Sequence, residues 1–214
     1  FQFSNFLLSD SIELVDGGTG LNKITSTAVN NTLDFSNTTL INIASIDGGG
    51  GNDTIKGSAG DDTIIGGTGN DTLYGEAGND TFIVEGTQGS DRFLGGDGND
   101  QILGGAGDDT FQFSNFFLSD SIELVDGGTG LNKITSTAVS NTLDFSNTTL
   151  INISSIDGGG GNDTIKGSAG DDTIIGGTGN DTLYGEAGND TFIVEGSQGS
   201  DRFIGGDGND QILG

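Results

Sequence analysis

Thirteen aspartates stand at the sixth place of a nine-residue pattern, and that spacing is where this chain could do chemistry. In the first half they are Asp53, Asp62, Asp71, Asp80, Asp91, Asp100 and Asp109; in the second, Asp163, Asp172, Asp181, Asp190, Asp201 and Asp210. Each follows a glycine-rich turn and precedes a large apolar residue, as in Gly48–Lys56 (GGGGNDTIK), Gly57–Ile65 (GSAGDDTII) and Gly66–Tyr74 (GGTGNDTLY). The template is G-G-x-G-x-D-x-U-x, with U apolar. Glycine admits backbone angles closed to other residues and lets carbonyl oxygens converge. Carboxylates and carbonyls together are the hard oxygen donors that Ca²⁺ collects, roughly six to eight at a time. One carboxylate per turn suffices if the backbone completes the shell, here through carbonyls of turn glycines such as Gly48, Gly57, Gly66, Gly69, Gly75 and Gly78. General acid–base chemistry is a poor fit. A pair such as Asp61–Asp62 would have to stand apart from its neighbours to be a glycosidase dyad, and acids recur at every turn. The chain is expected not to be an enzyme.

Composition narrows the partners. The 214 residues carry 32 acidic and 6 basic side chains, a formal net charge of −26. Such a polyanion repels nucleic acid and anionic membranes, and it favours disorder unless cations neutralise it. With no Cys and no His, disulfides, thiolate sites and the usual zinc chemistry are excluded. No stretch approaches the ~20 apolar residues of a membrane span, so no membrane insertion is expected. Residues 1–20 show no signal-peptide pattern. Pro, Met and Trp are also absent, and the 42 glycines are about three times the usual share.

The elements that must position the aspartates follow from the same pattern. The residues x-U-x form a short strand with U inward and its neighbours outward. Two nonads close one coil of a parallel β-helix, so turns alternate between two edges. Asp53, Asp71, Asp91 and Asp109 are expected to stack on one edge and Asp62, Asp80 and Asp100 on the other, with each ion held between successive turns. The core reduces to the U residues Ile55, Ile64, Leu73, Phe82, Phe93, Ile102 and Phe111, with Val84 and Phe113 extending two strands inward. Stacked carboxylates repel and ordered glycines lose much entropy, so Ca²⁺ binding is expected to be part of the folding energy.

A longer repeat contains the short one. Phe1–Gly104 recurs as Phe111–Gly214, and only Leu7/Phe117, Asn30/Ser140, Ala44/Ser154, Thr87/Ser197 and Leu94/Ile204 differ. The expected organisation is a unit at 1–110, with degenerate metal-free coils at 1–47 and calcium nonads at 48–110. A second unit follows at 111–214, divided into 111–157 and 158–214. In the degenerate part, Gly17–Thr25 (GGTGLNKIT) has Asn22 where Asp belongs, and Ser26–Asp34 keeps only Asn31 and Leu33. About six coils per 110 residues would give a unit ~29 Å long. Nothing in the join at Gly104–Gln112 reads as a hinge, so the units are expected to stack continuously. The third-position residues form no Thr row, which argues against an ice-binding face.

The nonads resemble the repeats-in-toxin (RTX) calcium β-roll. That resemblance implies an all-β, right-handed parallel β-helix holding multiple Ca²⁺ ions between its turns. It also implies an extracellular or cell-surface setting reached by type I secretion. A structural role in an adhesin, surface layer or extracellular filament fits the near-identical units. Further copies of the repeat, joined covalently or end to end, would be the partners, with possible association with a cell surface or matrix. The alternative is the carboxy-terminal folding and export region of a toxin or hydrolase.

Overall fold

The computed structural model describes residues 1–195 and 199–214. It is a β-solenoid of short parallel strands. One sheet has ten strands, starting at Thr32–Asp34 and passing through Thr54–Lys56, Thr72–Ala77, Thr87–Asp97, Thr110–Phe113 and Asn132–Thr135. It continues through Ile153–Asp157, Thr173–Ile175 and Thr191–Ile193 to Gln211–Leu213. The other face comprises a seven-stranded sheet from Asn22–Thr25 to Thr149–Ile151 and a four-stranded sheet from Thr142–Asp144 to Arg202–Asp207. Register is regular through the nonads up to Asp97 on one side and shifts between Thr87 and Ser90 where Thr87–Asp97 meets Thr110–Phe113. Thr54 pairs with Thr72, Ile55 with Leu73 and Lys56 with Tyr74.

The inward column is the one expected from the pattern. Ile55, Ile64, Leu73, Phe82, Phe93, Ile102, Phe111, Val84 and Phe113 are all buried. The degenerate segment supplies Phe6, Val15, Ile24, Leu33, Phe35 and Ile46 to the same continuous core. Aromatic rings pack along it, Phe82 to Phe93 at 5.5 Å and Phe93 to Phe113 at 5.7 Å between centroids. Edge-on rings add specific contact to the area they bury. The last pair crosses the join, and both large sheets run through it without a break.

The unit does not contain a whole number of coils. Asn22–Thr25 lies in the seven-stranded sheet, but its counterpart Asn132–Thr135 lies in the ten-stranded one. Thr54–Lys56 lies in the ten-stranded sheet and Thr164–Lys166 in the four-stranded one. Each unit therefore spans five and a half coils, not six, and shortens to about 26 Å at ~4.8 Å per strand. The cause is coil size. Successive aspartates are 18 residues apart in the tightest nonad coils, whereas contacts of the degenerate coils span 22 to 26 residues. The half coil exchanges the edges, so the turns of Asp163 and Asp181 fall on the edge that carries Asp62, Asp80 and Asp100 in the first unit.

Segment 35–47 lacks a glycine turn yet still bends. Asn42 and its counterpart Asn152 adopt φ of 55° and 56°, the left-handed region that asparagine tolerates better than most residues. There the chain passes from strand Thr39–Ile41 to strand Ile43–Asp47.

Candidate calcium sites

The aspartates stack in hydrogen-bonded ladders, except that Asp109 leaves its expected row: the register shifts between Thr87 and Ser90, so Asp109 meets Gly86 N–H and not Asp91 N–H. Asp53 N–H donates to Asp71 Oδ1 at 2.7 Å and Asp71 N–H to Asp91 Oδ1 at 2.9 Å. On the other edge Asp62 N–H donates to Asp80 Oδ1 and Asp80 N–H to Asp100 Oδ1, both at 2.8 Å. The second unit repeats this, with Asp163 to Asp181 at 2.8 Å, Asp172 to Asp190 at 2.9 Å, Asp181 to Asp201 at 3.0 Å and Asp190 to Asp210 at 3.1 Å. One carboxylate oxygen is thereby fixed by the backbone of the preceding coil.

The second oxygen separates the turns into kinds. Oδ2 of Asp53, Asp71, Asp80, Asp100, Asp163, Asp181 and Asp190 is buried without any hydrogen-bond partner. It points beneath the first glycine of its own turn, and at Asp53, Asp80, Asp100, Asp163 and Asp190 a carbonyl of the next turn also arrives there. A methyl group built on Gly48 would lie 2.7 Å from Asp53 Oδ2 and 2.5 Å from the Gly66 carbonyl oxygen. Gly75 is flanked in the same way by Asp80 Oδ2 and the Gly95 carbonyl. Two acceptors converge with no donor between them, and buried acceptors without partners are costly. The donor set is oxygen only, carboxylate and carbonyl, which fits Ca²⁺. Among the described residues no three acidic side chains converge on one point, so the backbone must supply most of any shell.

Electrostatics mark buried aspartates of every kind of turn, since burial also raises Asp62 and brings Asp172 to about 6. Burial, then the charges of neighbouring aspartates, pushes Asp53 up to about 6, and likewise Asp80 and Asp163. Burial followed by the charge of Asp71 brings Asp91 to about 7. Asp71, Asp100, Asp181 and Asp190 are raised chiefly by burial. A carboxylate raised in this way is short of positive charge.

Other turns satisfy themselves. Asp62 Oδ2 accepts the Ser58 N–H at 2.6 Å and the Ser58 hydroxyl at 2.9 Å. Asp172 and Ser168 do the same at 2.7 Å and 3.0 Å. These two turns lack positive-φ glycines at positions 57, 60, 167 and 170. The sequence reading grouped them with the rest. The serine in the second place, where the template has glycine, is what sets them apart. Asp109 is also enclosed, accepting from Gly86 N–H at 2.6 Å and Gly105 N–H at 2.8 Å.

The asparagine turns reach the same end differently. Asn132 Oδ1 accepts the Asp109 N–H at 2.9 Å, as an aspartate would. Its Nδ2 donates to the Asn152 carbonyl at 3.1 Å, and Asn22 donates to Asn42 at the same distance. An amide donor occupies the place of the unpartnered carboxylate oxygen.

The other predicted glycine carbonyls have varied surroundings. The carbonyl of Gly75 lies beside Asp62 Oδ2 below Gly57, and the Gly48 carbonyl accepts the Ser26 hydroxyl. The carbonyls of Gly69 and Gly78 lie against Gly89 and Gly98 of the next coil, whose φ values of 131° and 145° admit only glycine comfortably. Asp201 and Asp210 close their rows in the last coil of this chain. Residues 196–198 of the Asp201 turn lie outside the described residues.

The RTX calcium-binding nonapeptide repeat matches four times, at residues 47–82, 83–112, 157–192 and 193–214. No curated protein matches the chain. The matched segments cover more than half of the sequence and coincide with the ladders, so the chain is a calcium-binding repeat module that belongs to the RTX family.

Proposed function

We propose that this chain is a non-catalytic structural segment of a secreted bacterial surface protein or extracellular filament, folded and stiffened by rows of Ca²⁺. Seven aspartates are its principal side-chain ligands: Asp53, Asp71, Asp80, Asp100, Asp163, Asp181 and Asp190. Asp91 joins them in its row, and carbonyls of the turn glycines supply the remaining oxygens. The observation that carries this reading is the set of seven buried, unpartnered Oδ2 atoms, five of which face a carbonyl across the coil interface. Continuous sheets through two near-identical units support a spacer, since each coil of a solenoid needs only its neighbours and can be added indefinitely. Further copies, in series or end to end, would lengthen it.

The extracellular setting makes a quantitative demand. Extracellular calcium modules bind with dissociation constants of roughly 10⁻⁴–10⁻³ M, so the chain would stay unfolded at cytosolic calcium and fold outside. Small-angle scattering during a calcium titration should show an expanded chain condensing into one elongated body with a midpoint in that range. A midpoint below a micromolar would contradict the secreted reading. Two lobes on a flexible neck would contradict the continuous spacer.

A further inference from the structure

The row Asp62–Asp80–Asp100 does not stop where the nonads of its edge stop. The next coil there belongs to the second unit and has no nonad, yet it presents Glu123. Asp100 N–H donates to Glu123 Oε2 at 2.7 Å, continuing the ladder in which Asp62 donates to Asp80 and Asp80 to Asp100. Glutamate is one methylene longer than aspartate and reaches the same place from a wider coil.

A carbonyl arrives there as well. In the nonads the first glycine of the next turn sends its carbonyl toward the buried Oδ2. Here a methyl group built on Gly95 would meet Asp100 Oδ2 and the carbonyl oxygen of Ser121, with no glycine involved. Ser121 does this from a left-handed conformation, φ 50° and ψ 63°, at the end of a short 3₁₀ turn, Leu118–Asp120. That conformation is unfavourable for serine, so the surroundings must hold it. Asp120 is 1% exposed; its Oδ2 accepts the Phe117 N–H at 2.8 Å, and its Oδ1 meets Arg92 Nη2 of the preceding unit at 3.3 Å. The Arg92–Asp120 pair fixes the turn to the last calcium coil of the first unit. Asp100 itself is 1% exposed, and its Oδ2 has no partner.

We propose that a Ca²⁺ ion binds at the join of the two units, between Asp100 and the Ser121–Glu123 turn, and ties one unit to the next. This rests on the reading that the unpartnered Oδ2 atoms are calcium ligands. It extends calcium binding into a segment that the nonad pattern does not mark. The site needs residues from both units, so a series of units would gain one such ion at every join.

The chain contains its own control. Glu13 is the counterpart of Glu123, and Ser11 has the same left-handed φ, 53°, but no calcium turn precedes them in this 214-residue chain. Bound calcium is measured by equilibrium dialysis at saturation on the full chain, with Glu123→Gln and Glu13→Gln. The first variant should lose one ion per chain and the second none. Equal counts in the two variants, with calcium still bound, would overturn the join site alone; an unchanged chain that binds no calcium would overturn the broader reading with it. Should Glu123→Gln fail to fold, anomalous scattering from calcium-grown crystals of the unchanged chain decides. A peak between Asp100 Oδ2 and the Ser121 carbonyl is expected, and peaks in the nonad rows without one at the join would refute the proposal.

Discussion

The turns of Asp80 and Asn132 share a backbone ladder and differ in one atom. In each, the first side-chain oxygen accepts an N–H from the preceding coil. In the asparagine turn the second atom is a nitrogen that donates to a carbonyl of the next coil. In the aspartate turn it is an oxygen facing a carbonyl, buried and without a partner. A donor facing an acceptor closes by itself, but two acceptors need a cation between them. On the proposed function, that contrast sets metal-requiring and metal-free coils on one continuous stack and makes the acidic repeats alone conditional on calcium.

Removing an aspartate should break the comparison hardest. Asp71→Ala deletes the acceptor of Asp53 N–H together with an unpartnered Oδ2 that lies between two neighbouring turns. Two sites should weaken, and calcium-loaded stability should fall by about 3 kcal/mol or more. Asn22→Ala removes the bonds of its amide to the Asn42 and Gly20 carbonyls, should cost about 1 kcal/mol, and should leave the calcium count unchanged. Calorimetric titration and denaturant unfolding of both variants check this. Equal losses of bound calcium would show that the division of turns is wrong.

Converting one kind of turn into the other is the sharper test. Asn132→Asp replaces the donor by an acceptor facing the Asn152 carbonyl. At calcium just sufficient to fold the chain it should lower stability by about 1–3 kcal/mol, and at saturating calcium it should add an ion. Unfolding curves under the two conditions should therefore move in opposite directions.

Acidity should act on the aspartate turns of the ion-free chain. Folding raises Asp53, Asp80, Asp163 and Asp172 to about 6 and Asp91 to about 7 from an ordinary value of 3.8. The folded state then binds more protons than the unfolded one. Their contribution favours folding most below about pH 4 and is lost as pH rises through 6 to 7. In chelator the β-signal should grow on acidification from pH 7.5 to 5, while calcium affinity falls because protons compete for the same oxygens. A β-signal that does not grow over that interval would contradict the assignment. The smallest effect is expected for Ser58→Gly, which removes the hydroxyl bond to Asp62 for about 1 kcal/mol and restores the template glycine. A slight rise in calcium binding should accompany it.

Much of this was legible in the residues. The period of nine located every inward side chain from Ile55 to Phe113, because a period-two strand and a glycine turn leave little freedom. It placed Asp109 beside Asp91, but the two-residue insertion before Gly86 shifts the register there. The asparagine at position 22 pointed to a turn whose amide donates to the Asn42 carbonyl, where an aspartate would place an acceptor. What escaped depended on contacts between coils. Ser58 looks like a mild departure from glycine until its hydroxyl is seen on Asp62. Asn42 turns the chain without glycine. Glu123 lies outside any nonad, and only stacking brings it to Asp100. The exchange of edges between units follows from the size of the wide coils, which no local motif states.

The account rests on the claim that the aspartate turns cannot stay ordered without a cation, and far-ultraviolet circular dichroism of the calcium-stripped chain tests it most directly. In excess chelator at neutral pH the β-signal should collapse to that of a largely disordered chain and return on adding millimolar calcium. A spectrum that excess chelator leaves unchanged would contradict it.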